Sequence, residues 1–84
     1  MREPVSETAL ALARKAGAVF AERGFEHPRL EAELLLGAAL GIGRLDLYLD
    51  PDRPVGADDL ETFRRFVRRR LRREPIQYIT GVAH

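Results

Sequence analysis

The chain predicts an all-α fold, a small bundle of four to five helices with a buried central helix. Three observations carry that expectation. Residues 28–40 are apolar on nearly every side when wound at helical spacing, the mark of an enclosed helix. Elsewhere apolar residues recur every third or fourth position and nowhere alternate as a strand would. Gly24, Gly41 and Gly43, with Pro28, Pro51, Pro54 and Pro75, fall at the ends of these periodic segments.

The first helix is expected over 6–22. Ser6 is placed as its N-cap, since a serine hydroxyl accepts from a free N–H of the first turn. Val5, Ala9, Leu12, Ala16, Val19 and Phe20 form its apolar stripe, Gly24 stops it, and Phe25 tucks back against it. Pro28 opens the second helix, 28–40, whose Leu30, Leu34, Leu35, Leu36, Ala38, Ala39 and Leu40 leave only narrow gaps at Glu31 and Glu33. A third, short helix covers 44–49. The two prolines of Asp50-Pro51-Asp52-Arg53-Pro54 then make a turn, because neither can sit inside a helix. The fourth helix runs over 57–73, with Asp58 and Asp59 at the positive end of its dipole and arginines at the negative end. A fifth covers 75–80, with Pro75 at its first position and Gly81 as a left-handed cap.

Eighty-four residues make one small domain with a limited core. The absence of cysteine rules out a disulfide framework and thiolate chemistry, and fits a cytoplasmic location. No apolar run approaches the roughly 18 residues of a membrane span. Met1-Arg2-Glu3-Pro4 lacks a signal-peptide core, so a soluble protein with no membrane partner is expected. The net charge of +1 conceals an asymmetry: residues 1–63 sum to −5 and residues 64–84 to +6. Such a dipolar molecule can steer a partner onto one end.

That positive end is the fourth helix, where seven of the ten residues from Arg64 to Arg73 are arginine. With Leu60 at zero, Phe63, Val67 and Leu71 lie at about 300°, 340° and 20°. Arg65, Arg68, Arg69 and Arg72 lie at about 140°, 80°, 180° and 120°, a basic ridge opposite the apolar stripe. These four are the candidate partner-binding residues. A solvated helix face, an acidic protein partner and nucleic acid all remain open as readings of the ridge. Nucleic acid is the weaker alternative, because no aromatic interleaves the arginines for base stacking. Self-association is a further reading, which an exposed apolar patch would accompany. Arg70 differs from its neighbours. At about 280° it points to the core flank, where it either meets a carboxylate, Glu33 or Glu31, or keeps its head in water.

No constellation for chemistry is visible. His27 and His84 stand far apart without metal-ligand spacing, and no glycine-rich loop follows a strand. Asp58, Asp59 and Glu61 read as a solvated first turn. No catalytic, cofactor-binding or metal residue is assigned.

Several segments, taken in order, carry a family resemblance. His27-Pro28-Arg29-Leu30-Glu31-Ala32-Glu33-Leu34-Leu35-Leu36 resembles a Ser-Pro-Arg-x-Asp-Ala-Glu-x-Leu-Leu stretch, and Arg44-Leu45-Asp46-Leu47-Tyr48-Leu49 a short helix that follows it. Arg69-Arg70 and Glu74-Pro75-Ile76-Gln77-Tyr78-Ile79-Thr80-Gly81 resemble an Arg-Arg pair and a Gly-Glu-Pro-x-x-Tyr-x-x-Gly junction. The family is that of the release factor glutamine methyltransferases, the HemK-type protein-(glutamine-N5) methyltransferases. The resemblance implies residues 1–74 as an N-terminal helical recognition domain and 75–84 as the start of the linker to a catalytic domain of the same chain. It further implies a parent enzyme that uses S-adenosylmethionine to methylate the glutamine of a Gly-Gly-Gln loop in peptide chain release factors. The fragment itself is expected to be non-catalytic and to hold no cofactor. Arg73 departs from the pattern, which has glycine there; a left-handed turn would strain an arginine.

Overall fold

The computed structural model describes residues 7–81 and contains five helices in chain order. They are α1 (Ala9–Glu22), α2 (Pro28–Leu40), α3 (Arg44–Leu49), α4 (Ala57–Leu71) and α5 (Ile76–Thr80). The all-α expectation holds. Helix α2 is the hub on which the other four pack, while α1 and α4 touch each other only marginally. The core joins Leu12, Ala16 and Phe20 of α1 to Ala32, Leu35 and Leu36 of α2, with Leu47, Phe63 and Ile79 arriving from α3, α4 and α5.

Ser6 and Val5 lie outside the described residues, and α1 begins at Ala9, three residues later than expected. Thr8 supplies the cap, its Oγ1 accepting from the Ala11 N–H at 3.2 Å. The remaining free N–H groups of that first turn are met from a distance. Ala9 donates to the Arg53 carbonyl and Leu10 to the Pro51 carbonyl, both at 2.9 Å. The proline turn after α3 therefore serves as a second cap on α1, and buried Val55 pins it there.

Helix α2 is central but not enclosed on all sides. Ala32, Glu33, Leu35, Leu36 and Gly37 are buried, whereas Leu30 and Ala38 are exposed and Leu34, Ala39 and Leu40 half-buried. Only α1 and α4 match its length, α3 and α5 being six and five residues, and its Leu34–Ala38 side opens onto a shallow hollow beside Ile42 and Thr80. Its end depends on Gly37. A Cβ there would lie 2.7 Å from the Ile42 carbonyl oxygen, so only glycine lets the chain fold back so closely.

Helix α4 stops at Leu71 and not at 73, because Arg72 caps it and Arg73 turns left-handed with φ 69°. Pro75 likewise precedes α5 as its N-cap, in an extended conformation, and the helix proper starts at Ile76. Gly81 closes it with φ 78°. His27 holds the N-cap position of α2 without a side-chain cap bond.

Candidate partner-binding surface

Helix α4 carries its arginines in two populations. Arg69, Arg70 and Arg73 are engaged within the domain. Arg69 lies in a bidentate ion pair with Glu74, its Nε 3.0 Å from Oε1 and its second nitrogen on the other oxygen, and it also donates to the Tyr78 carbonyl. That hydrogen bond from Arg69 holds the Glu74 carboxyl below the usual carboxylate range. Arg70 reaches across to α2 and grips Glu31 with two bonds of 2.8 and 3.1 Å. Of the two carboxylates expected for it, Glu31 is the partner. Arg73 lays its guanidinium 3.9 Å from the centroid of the Phe25 ring and donates to the Arg23 carbonyl at 2.7 Å.

The second population faces outward. Arg64, Arg65, Arg68 and Arg72 are exposed. Among the described residues, only Arg68 of these four makes an ion pair, a loose one to Glu61 at 3.6 Å between two exposed side chains, while the charge of Arg72 acts on Glu74. The expected ridge of Arg65, Arg68, Arg69 and Arg72 is thus revised at one position. Arg69 is drawn off because Glu74, just past the helix end, lies within its reach, and its guanidinium is committed to closing the α4–α5 turn.

Two of these arginines, Arg64 and Arg68, border a groove. Because α1 and α4 both lean on α2 and barely meet, a hollow of about 270 Å³ remains between them. Leu12, Ala16 and Val19 line it from α1, and Phe63 and Val67 from α4. Lys15, Arg64 and Arg68 stand at its margin, with Glu7 beside Lys15 at 2.9 Å. Sequence reasoning missed this groove and missed Arg64. The signal for Arg64 was present, since at about 40° it adjoins the apolar stripe, but nothing in the sequence said which part of the stripe α1 would leave uncovered.

Glu33, the other carboxylate of α2, forms a separate network. It is 2% exposed and accepts from Arg29 Nε at 2.9 Å, from two nitrogens of Arg44 at 3.1 and 2.9 Å, and from the Tyr48 hydroxyl at 2.6 Å. Burial alone would raise its pKa, but the hydrogen bonds from Tyr48 and Arg44 and the charges of Arg44 and Arg29 outweigh it and hold the carboxyl below its usual value. This is how a six-residue helix is held on the domain: α3 buries only Leu47, and Glu33 ties both Arg44 and Tyr48 to α2. Leu45 and Leu49 of α3 face outward, a modest pair of exposed leucines such as monomeric surfaces carry.

None of this assembles chemistry. His27 is exposed at a helix start, and no group of three metal-ligating side chains occurs among the described residues. The left-handed glycines Gly24, Gly41 and Gly81 all lie just past helix C-termini, where they stop helices.

Compared with known proteins, residues 11–81 match the family described as the PrmC N-terminal domain. The chain belongs to that family. Relatives include proteins named release factor glutamine methyltransferase. That of Chlorobaculum tepidum is 54% identical over 66 residues, which are 79% of this chain and 22% of the relative. That of Geobacter sulfurreducens is 51% identical over 61 residues, covering 73% of this chain and 22% of the relative. That of Mycolicibacterium smegmatis is 39% identical over 70 residues, or 81% of this chain and 24% of the relative. The chain therefore spans about a fifth to a quarter of the length of these curated relatives. No solved structure gives a significant match. Among the described residues, no helix is long and apolar enough to cross a membrane.

Proposed function

We propose that this domain recognises peptide chain release factors for a cytoplasmic, S-adenosylmethionine-dependent methyltransferase, which modifies the glutamine of their Gly-Gly-Gln loop. The observation that carries the reading is the match of residues 11–81 to a family defined as an N-terminal domain, shared with relatives named for that activity. The donor belongs to a catalytic domain of the same parent chain. The described residues do not suit it: their left-handed glycines terminate helices, where carbonyls and not N–H groups are left free, and a donor cradle needs the reverse. We assign this fragment no catalytic residue.

The role left for it is docking. A tethered module that holds the protein substrate raises its effective concentration at the active site. The outward arginines of α4, Arg65, Arg68 and Arg72, supply the charge for meeting an acidic surface, while Arg69 stays on Glu74. Residues 75–84 begin the connection to the catalytic domain, with α5 as its anchored first part through buried Ile79.

The test is kinetic. In the full-length parent, reversing Arg65 and Arg72 to glutamate should slow association and raise KM for the release factor, with kcat at saturation little changed. Unchanged KM at low salt would leave the basic side of α4 as a solvated face.

A further inference from the structure

The groove between α1 and α4 pairs an apolar floor with unneutralised positive charge, a combination that a merely solvated arginine face does not require. On α1, small Ala16 sits between Leu12 and Val19, so the wall is hollowed at its middle; on α4, Phe63 and Val67 stand one turn apart. The hollow of about 270 Å³ falls just under the usual size of a small-molecule site, roughly 300 Å³ and upward, and suits bulky side chains delivered by a protein. Beside it, Arg64 and Arg68 recur at i and i+4, so their backbone positions step along the groove by about 6 Å, and Arg72 follows one turn further on as the cap of α4. Arg64 has no acidic partner among the described residues and Arg68 only the loose one, while Arg72 makes no ion pair but its charge acts on Glu74. Part of the charge that the domain does not use internally, at Arg64 and Arg68, thus stands along one margin of an apolar groove.

We propose that this groove seats a segment of the protein substrate that inserts one or two bulky apolar side chains and flanks them with carboxylates spaced to meet Arg64 and Arg68. The inference rests on the recognition reading above and names where the release factor docks and by what chemistry. An apolar anchor in a pocket, ringed by charge, is the arrangement that concentrates binding energy at protein interfaces. Nucleic acid fits it less well. The walls are aliphatic, and their one aromatic, Phe63, is buried and offers no face to a base.

Two measurements on the 84-residue chain test this, with a purified bacterial release factor as probe. Val19 is on the rim and partly exposed, so Val19→Trp fills the groove without changing charge. It should weaken binding about tenfold or more, while Arg14→Glu, exposed on α1 but outside the groove, changes it less than about twofold. In parallel, p-benzoyl-phenylalanine placed at position 19 should cross-link to a release-factor segment in which apolar residues are flanked by Asp or Glu. Unimpaired helicity by circular dichroism shows that the variants are folded. If Val19→Trp binds like wild type while reversal of Arg65 and Arg72 weakens binding, the groove inference falls and the recognition reading stands. If the unmodified chain does not bind the release factor at all, both fall. Cross-links to a second copy, for example to the leucine-bearing α3, or to the chain itself, also overturn the inference.

Discussion

Helices α1 and α4 end in the same hydrogen-bond pattern with opposite chemistry. At the end of α1, Phe25 N–H donates to the Phe20 carbonyl and Gly24 N–H to Ala21; at the end of α4, Glu74 N–H donates to Arg69 and Arg73 N–H to Arg70. Both are Schellman closures with one left-handed residue. At α1 that residue is Gly24, and the side chains brought together are Phe20 and Phe25, with ring centroids 4.9 Å apart. At α4 it is Arg73, and the side chains brought together are Arg69 and Glu74. The apolar closure belongs to the core, and glycine costs it no strain. The ionic closure lies at the surface and carries a strained residue. What offsets the strain is tertiary: the Arg73 guanidinium rests on the Phe25 ring and bonds the Arg23 carbonyl, so the end of α4 leans on the end of α1.

The comparison can be broken most strongly at the apolar end. Phe20→Ala removes a fully buried ring and should cost about 3–5 kcal/mol in denaturant unfolding. A loss under about 1 kcal/mol would show that the α1 closure is not part of the core. Gly24→Ala adds a Cβ with nothing within 4 Å of it, so its penalty is purely conformational and should be about 1–2 kcal/mol in the same assay.

At the ionic end the informative experiment is a pair of variants. Arg73→Ala loses the contacts with Phe25 and Arg23 and keeps the left-handed strain, whereas Arg73→Gly loses the same contacts and relieves it. The glycine variant should be the more stable by about 1 kcal/mol, and equal melting temperatures would argue against strain at this turn. The smallest effect concerns Glu74. Its folded pKa is lowered, so its contribution is present above the ordinary value of 4.5 and is lost as pH falls through the lowered folded value. Wild type should therefore melt slightly above Glu74→Gln at neutral pH and low salt. That difference should shrink in acid and at high salt; a difference independent of both would mean the pair acts by packing.

Much of the fold was legible before any coordinates. The bounds of α2 and α3 follow from Pro28, Gly41 and Gly43, because glycine and proline act on the backbone within a residue or two. Arg70 was legible as a core-flank cation from its angle on the helix, and so was the strain at Arg73. The start of α1 was not, since its first N–H groups are met by carbonyls more than forty residues away, at Arg53 and Pro51, whereas its end at Glu22 was. The candidate site was half legible. The arginines of α4 were visible as a basic side, but Arg69 was assigned outward although Glu74 lies five residues on and within reach. The Glu33 network escaped because two of its three donor residues, Arg44 and Tyr48, come from α3, whose placement on α2 has no local signature.

What the sequence determined by itself is the set of helices and the charge each carries, because helical periodicity and capping are short-range effects written in neighbouring residues. What only the tertiary structure decided is which charges remain available and where an apolar face stays open. Arg70 is neutralised by Glu31 across a separation of 39 residues, and Arg64 is left free because no carboxylate comes to it. The groove exists because α1 and α4 choose α2 over each other. Pairing and coverage depend on distances between helices, and those are set by how five apolar stripes share one small core.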